Sequence, residues 1–399
     1  MATTTAMTES RTGYLPSLDG WRALAIVGVL FAHDLPWSIW GFSNGLLLAL
    51  GGFGVNLFFA ISGILITTRI LEEERACGAF NIKGFYLRRI CRIQPAAMAY
   101  LVVIGLLMLF RVIEGRWSYW LAGLLMYENF VWHPSTVPFS LYEGHFWSLA
   151  VEEHFYILLS VILFFVLRRR LAWMIALYAV FFTIHSFALS HGLFDPVATG
   201  RRTYWQIDFL LFPAILAVAL QRPKVRDWAM RYWKPWLAFA VTLAAAVLHR
   251  LSVALRQPGT HALTPHEWIN EMGLLAQFFF ALWVAASMLH GSSWTTRVLE
   301  LAPLRFVGKI SYSLYLWHIL FFFRAGPNHI TNPVLLALSG ERIKFVAAFA
   351  VAALSYYLLE RPMMRLGHRL APPAQPGRKD LGLETSKACL PDEDGPVAA

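Results

Sequence analysis

Trp147–Leu167 reads WSLAVEEHFYILLSVILFFVL and runs into the basic triplet Arg168–Arg170. At an α-helical rise of 1.5 Å per residue this run measures about 31 Å, the thickness of a bilayer's hydrocarbon core. Two adjacent carboxylates, Glu152 and Glu153, interrupt it. An ionisable side chain at membrane depth costs several kcal/mol, so each marks a position kept for a partner or a function. The spacing stacks Ser148, Glu152 and Tyr156 on one helix face, with Glu153 about 100° away from Glu152. Interfacial acids facing water would give the same letters.

Runs of similar length recur near 22–41, 46–68, 95–113, 171–190, 205–220, 235–253, 272–290, 307–325 and 335–359. The expected fold is therefore all-α, a polytopic membrane bundle of about ten transmembrane helices. Trp117–Phe130 is too short and interrupted to span, and reads as a half-buried or re-entrant element. A hydrophobic content of 57% and a charged content of 15% agree with residence in lipid, as does a mean hydropathy of +0.52. The 16 Trp and 30 Phe suit interfacial anchors and a broad lipid-facing surface.

The net charge of +10 is spread over short segments between the apolar runs, which is a topology signal and not a nucleic-acid footprint. Basic residues gather at Arg69 to Arg92, Arg168 to Arg170, Arg222 to Lys234 and beyond Arg361. The positive-inside rule then places both termini in the cytoplasm of a multi-pass plasma or inner membrane protein. Residues 1–18 read as a polar tail, 19–366 as the membrane domain, and 367–399, rich in Pro, Gly and charge, as a disordered cytoplasmic tail. Cys77, Cys91 and Cys389 have no ligand or disulfide-framework spacing, so no metal site and no permanently bound cofactor is expected.

Five further places hold polar groups where apolar ones would be cheaper. In DGWRALAIVGVLFAHD, Arg22 and His33 are eleven residues apart on one helix face, separated by about 16 Å, with Asp19 on the same face. A capped helix start, a snorkelling arginine and an interfacial histidine are the plainer reading. FYLRRICRIQPA sets Arg88, Arg89 and Arg92 immediately ahead of the third apolar run, where one helical turn clusters them for bidentate phosphate binding or for headgroup anchoring. ISYSLYLWHI aligns Ser311, Tyr315 and His318 on one face, as a substrate path or as interhelical glue. Ser62-Gly63 reads first as a close-packing pair, and Glu360 stands where the last helix meets Pro362, suited to pairing with an arginine.

Six blocks together resemble the acyltransferase family 3 proteins, the integral membrane O-acyltransferases similar to O-antigen acetylases. They are YLPSLDGWRALAIVGVLFAH, GVNLFFAISGILIT, FYLRRICRIQPA, FWSLAVEEHFYIL, ISYSLYLWHI and LERP, in order from Tyr14 to Pro362. The resemblance implies a ten-helix bundle that moves an acyl group, commonly acetyl, from cytoplasmic acyl-CoA to a hydroxyl. It implies that Arg22 and His33 are the activity-linked pair of helix one, and that Arg89 and Arg92 match the family's R-x-x-R element. Some relatives carry an additional periplasmic hydrolase-like domain after the bundle; this chain is expected to lack it, so that acceptor delivery depends on the bundle and its loops alone or on a partner protein.

Acyl transfer to an alcohol requires a base, a donor for the developing oxyanion and a site that excludes water. The expected assignment makes His33 the base, or alternatively an acyl carrier. Glu152 or Glu153 orients its imidazole, Arg22 stabilises charge along the donor path and Asp19 positions Arg22. Arg88, Arg89 and Arg92 hold the CoA phosphates, and Ser62, Ser148, Tyr156, Ser311, Tyr315 and His318 line the substrate path. The expected partners are the bilayer, acyl-CoA, and a hydroxyl-bearing glycan, lipid-linked sugar or small metabolite, with no nucleic acid; acyl length and oligomeric state are left open. A multi-pass transporter or flippase is the competing class, although no inverted-repeat halves are visible. A sensor or scaffold gives no reason for buried Arg, His and Glu.

Overall fold

The structure, a computed structural model, describes residues 15–33, 44–131, 142–165, 169–191, 200–238, 240–242, 244, 265–322, 332–340 and 343–372. Both expected polar tails, apart from residues 15–18 and 367–372, and most of the expected 235–253 span lie outside the described residues. Every regular element among the described residues is helical. In chain order these include α1 (Pro16–His33), α2 (Asn44–Cys77), α3 (Ile82–Leu109), α4 (Trp117–Leu124), α5 (Phe146–Phe165), α6 (Arg170–Ser190), α7 (Thr203–Gln206), α8 (Asp208–Ala219) and α9 (Pro223–Tyr232). They continue with α10 (Pro265–Leu289), α11 (Trp294–Leu299), α12 (Ala302–Lys309), α13 (Ser311–Phe322), α14 (Pro333–Leu338), α15 (Ile343–Ser355) and α16 (Arg361–Leu370).

Five stretches are long and apolar enough by themselves to cross a membrane: Leu50–Cys77, Ile82–Leu109, Phe146–Phe164, Arg170–Ala188 and Ile343–Leu370. Asp208–Ala219 and Gln277–Leu289 are shorter apolar helices. Among the described residues there are thus five full-length spans by length and composition, beside an expectation of about ten from hydropathy. Trp117–Phe130 forms α4 followed by a single 3₁₀ turn at Glu128–Phe130, too short to span.

α1 lies at the centre, packed against α2, α12 and α13. Small residues permit this. A Cβ on Gly28 would sit 2.6 Å from the Leu50 carbonyl oxygen of α2, and one on Gly308 would fall on the Asp19 backbone carbonyl. Without an aqueous driving force between helices, close backbone approach of this kind is what holds a bundle together. A core of Ile26, Val29, Tyr100, Tyr142, Phe146, Leu314 and Trp317 ties α1 to α3, α5 and α13.

The largest departure in element boundaries concerns α3. The apolar scan starts this helix at residue 95, whereas it begins at Ile82, with the Asn81 side chain accepting from the Gly84 amide at 2.9 Å. Arg88, Arg89 and Arg92 are consequently part of the helix and not of a preceding loop. Charged residues end a hydropathy window, but they do not end a backbone hydrogen-bond ladder when their charges find partners. The final helix likewise runs past Pro362: a π turn at Tyr356–Glu360 joins α15 to α16, which continues through residue 366 to Leu370.

Candidate functional site

Two polar clusters lie along the bundle, and α1 reaches both. At its first turns Arg22 donates to Asp19 at 3.2 Å, the i, i+3 pair expected from the sequence. At its last residue stands His33.

The arginine cluster is assembled by α2, α3, α5 and α16. Arg89 lies 3.2 Å from Glu153 and 3.5 Å from Glu152, with its guanidinium carbon 3.2 Å from the centroid of the Tyr156 ring. Tyr156 in turn donates to Glu152 at 2.7 Å. Ser62 is within hydrogen-bonding reach of both Glu152 and Tyr156. One guanidinium therefore neutralises two carboxylates and stacks on a ring, a combination for which its planar fork is suited and a lysine is not. Arg88 is also occupied, by Glu73 at 2.6 Å and by the Ala371 carbonyl at 3.2 Å. Arg92 is exposed and enters none of these pairs; it lies within electrostatic reach of Arg22 and of Glu360. Glu360 is buried and accepts a hydrogen bond from Ser313, not from an arginine. Ser311 is buried two residues ahead of Ser313 on α13.

This arrangement revises the expected roles of the acid pair. Glu152 and Glu153 meet Arg89, and the group beside His33 is His318. Ser148, Glu152 and Tyr156 do share one face of α5, but stacking within one helix does not fix which neighbour arrives alongside it.

At the other end, His33 Nδ1 is 2.9 Å from the Val29 carbonyl oxygen and 3.3 Å from His318 Nε2. His318, fully buried on α13, places its Nδ1 2.7 Å from the Tyr315 carbonyl oxygen. Carbonyl oxygens only accept, so the partners assign both tautomers. Nδ1 of His318 carries the hydrogen, and its Nε2 offers a lone pair. Nδ1 of His33 likewise carries hydrogen, shared between Val29 and His318. Among the described residues the Nε2 lone pair of His33 has no partner, and the ring keeps an accessible edge.

Tyr315 and Ser148 join the same cluster at 2.5 Å from each other, with the Tyr315 hydroxyl donating to the His145 carbonyl at 2.9 Å. His145 itself was not singled out from the sequence. Its ring is 5.8 Å from that of His318, 5.4 Å from Tyr315 and 5.3 Å from Tyr100. The available signal was its position, one residue ahead of the FWSLAVEEHFYIL block. Arg89 and Tyr100 of α3 are eleven residues apart, the same offset as Arg22 and His33, so the two clusters are about 16 Å apart along both helices.

A helical bundle with membrane-length spans and polar side chains in its interior defines a helical membrane protein. The acyltransferase-domain family of type 3 matches residues 15–361, and the chain belongs to that family. It is 28% identical over 378 residues to a protein of Staphylococcus aureus (strain COL) provisionally named an O-acetyltransferase, covering 89% of this chain and 58% of that one. It is 26% identical over 385 residues to O-acetyltransferase OatA of Staphylococcus aureus (strain NCTC 8325 / PS 47), again covering 89% of this chain and 58% of the other. The chain thus spans less than two thirds of the length of these relatives. No solved structure matches it.

Proposed function

We propose that the protein is a multi-pass membrane O-acyltransferase of about ten spans with cytoplasmic termini. It moves an acyl group, commonly acetyl, from acyl-CoA to a hydroxyl of a glycan, lipid-linked sugar or small metabolite. One observation carries the assignment: both tautomers in the His33–His318 pair are set so that, among the described residues, His33 Nε2 keeps an unpaired and accessible lone pair. That is the state a general base needs before it meets an alcohol.

The proposed step is a single displacement. His33 Nε2 takes the acceptor's hydroxyl proton while the oxygen attacks the thioester carbonyl carbon. The tetrahedral oxyanion collapses, the C–S bond breaks, and the CoA thiolate recovers the proton from the imidazolium. His318 holds the ring as the third member of a triad does, with a neutral nitrogen in place of a carboxylate. Arg92, the exposed guanidinium, contacts the CoA phosphates, while Arg88 and Arg89 shape the mouth through their ion pairs. Arg22, set by Asp19, counters negative charge along the donor path. Ser62, Tyr156 and Ser311 flank that path at one end, and Ser148 and Tyr315 at the other. Membership in an acyltransferase family favours this reading over a transporter.

The direct test supplies membranes containing the protein with radiolabelled acetyl-CoA and measures label transferred and CoA released. His33→Ala should reduce transfer by about 100-fold or more. Near-normal transfer by that variant would remove His33 from the role.

A further inference from the structure

His145 sits in the turn that leads into α5, with only 5% of its surface exposed. Among the described residues neither ring nitrogen completes a hydrogen bond of good geometry, although the backbone carbonyls of Tyr142 and Leu316 lie near the ring. Tyr100, Phe146, Tyr315 and His318 surround it with ring edges and faces. Leaving a buried donor unpaired costs about 1–3 kcal/mol, and charging it there would cost far more. A neutral imidazole without a well-formed bond, next to the histidine that holds the candidate base, is a group available to a ligand atom.

The proposed reaction has an unfilled requirement at this end of the bundle. An oxyanion develops on the thioester carbonyl, and a donor must already point at it. Arg22 is about 16 Å from His33 along α1 and is committed to Asp19. Both nitrogens of His318 are engaged, and the Tyr315 hydroxyl hydrogen goes to a backbone carbonyl. His318 has both His145 and His33 as ring neighbours, with centroids 5.8 Å and 4.8 Å from its own respectively.

We infer that His145 is a further catalytic residue, a neutral imidazole whose N–H donates to the carbonyl oxygen of the transferred acyl group as that oxygen becomes an oxyanion. Its bonding needs no net proton transfer: the hydrogen stays on His145 while the electron pair moves from the C=O bond to oxygen and returns when the C–S bond breaks. A neutral imidazole is competent for this, because polarising a carbonyl needs a placed donor and not a full charge. The inference rests on the acyltransferase reading.

The experiment compares His145→Gln with His145→Met, side chains of similar length that differ in having an N–H donor. Both are assayed with radiolabelled acetyl-CoA in membranes beside wild type and His33→Ala. The Met variant should lose about 100- to 1000-fold in maximal rate with its KM for acetyl-CoA unchanged, while Gln recovers at least about tenfold of that loss. Should the Met variant not accumulate, His145→Phe, which fits the aromatic surroundings, takes its place. Met or Phe as active as Gln overturns the inference and leaves the acyltransferase reading standing, provided wild type transfers label and His33→Ala does not. A wild type that transfers no acetyl overturns both.

Discussion

His33 Nδ1 and His318 Nε2 face each other at 3.3 Å, joining the end of the first helix to the middle of α13 across 285 residues of sequence. The contact converts a lone intramembrane histidine into an oriented one. Losing the orienting partner should lower the rate without touching donor binding. His318→Ala is expected to cost about 100-fold in kcat, and adding it to His33→Ala should cost little more, because the two act as one unit. Steady-state kinetics of the single and double variants reads this, and additive losses would separate the two residues.

Arg89 and Arg92 match the same sequence element but should fail in different ways. Removing Arg89 strands Glu152 and Glu153, both largely buried, so Arg89→Ala should destabilise the protein by about 3–5 kcal/mol. Arg89→Lys should not rescue it, because the stacking on Tyr156 is lost. Arg92→Ala should fold normally and raise the KM for acetyl-CoA about tenfold, the effect of one charge-assisted contact. Thermal melting in detergent together with donor titration distinguishes the pair.

Gly63 should tolerate no side chain. A Cβ there would stand 2.5 Å from the Leu210 carbonyl oxygen and 2.9 Å from Pro213 Cβ of α8. Backbone at such a contact has no rotamer with which to yield. Gly63→Ala is expected to cost about 1–3 kcal/mol by forcing α2 and α8 apart, whereas Gly52→Ala, with open space at its Cβ, should melt like wild type.

Glu143, in the turn ahead of α5, is 1% exposed, and burial with Glu128 nearby raises its carboxyl from 4.5 to about 7. Between those values the folded protein keeps a proton that the unfolded chain has released. Stability is therefore full at acid pH, falls as pH rises toward 7 and stays reduced above it, by on the order of 3 kcal/mol. Glu143→Gln should remove this slope and melt higher than wild type at pH 8. A wild type equally stable at pH 5 and pH 8 would contradict it.

Much of the bundle was legible because apolar length and intrahelical spacing are local properties. The α2, α3, α5 and α6 spans, the Asp19–Arg22 pair and the shared face of Ser148, Glu152 and Tyr156 follow from a 3.6-residue repeat alone. The start of α3 was misplaced because charges that find partners such as Glu73 and Glu153 continue a helix where a hydropathy window stops.

The sequence by itself determined a membrane protein, its family, and the distance from Arg22 to His33 along α1. Only the tertiary structure decided that Glu152 and Glu153 would neutralise Arg89, that His318 would hold His33, and that His145 would join them. Helical periodicity specifies which side chains share a face, whereas partners across helices depend on axial register. Here that register is set by backbone contacts at small residues, such as Gly63 against Leu210 and Gly308 against Asp19, whose consequences appear only once the helices are packed.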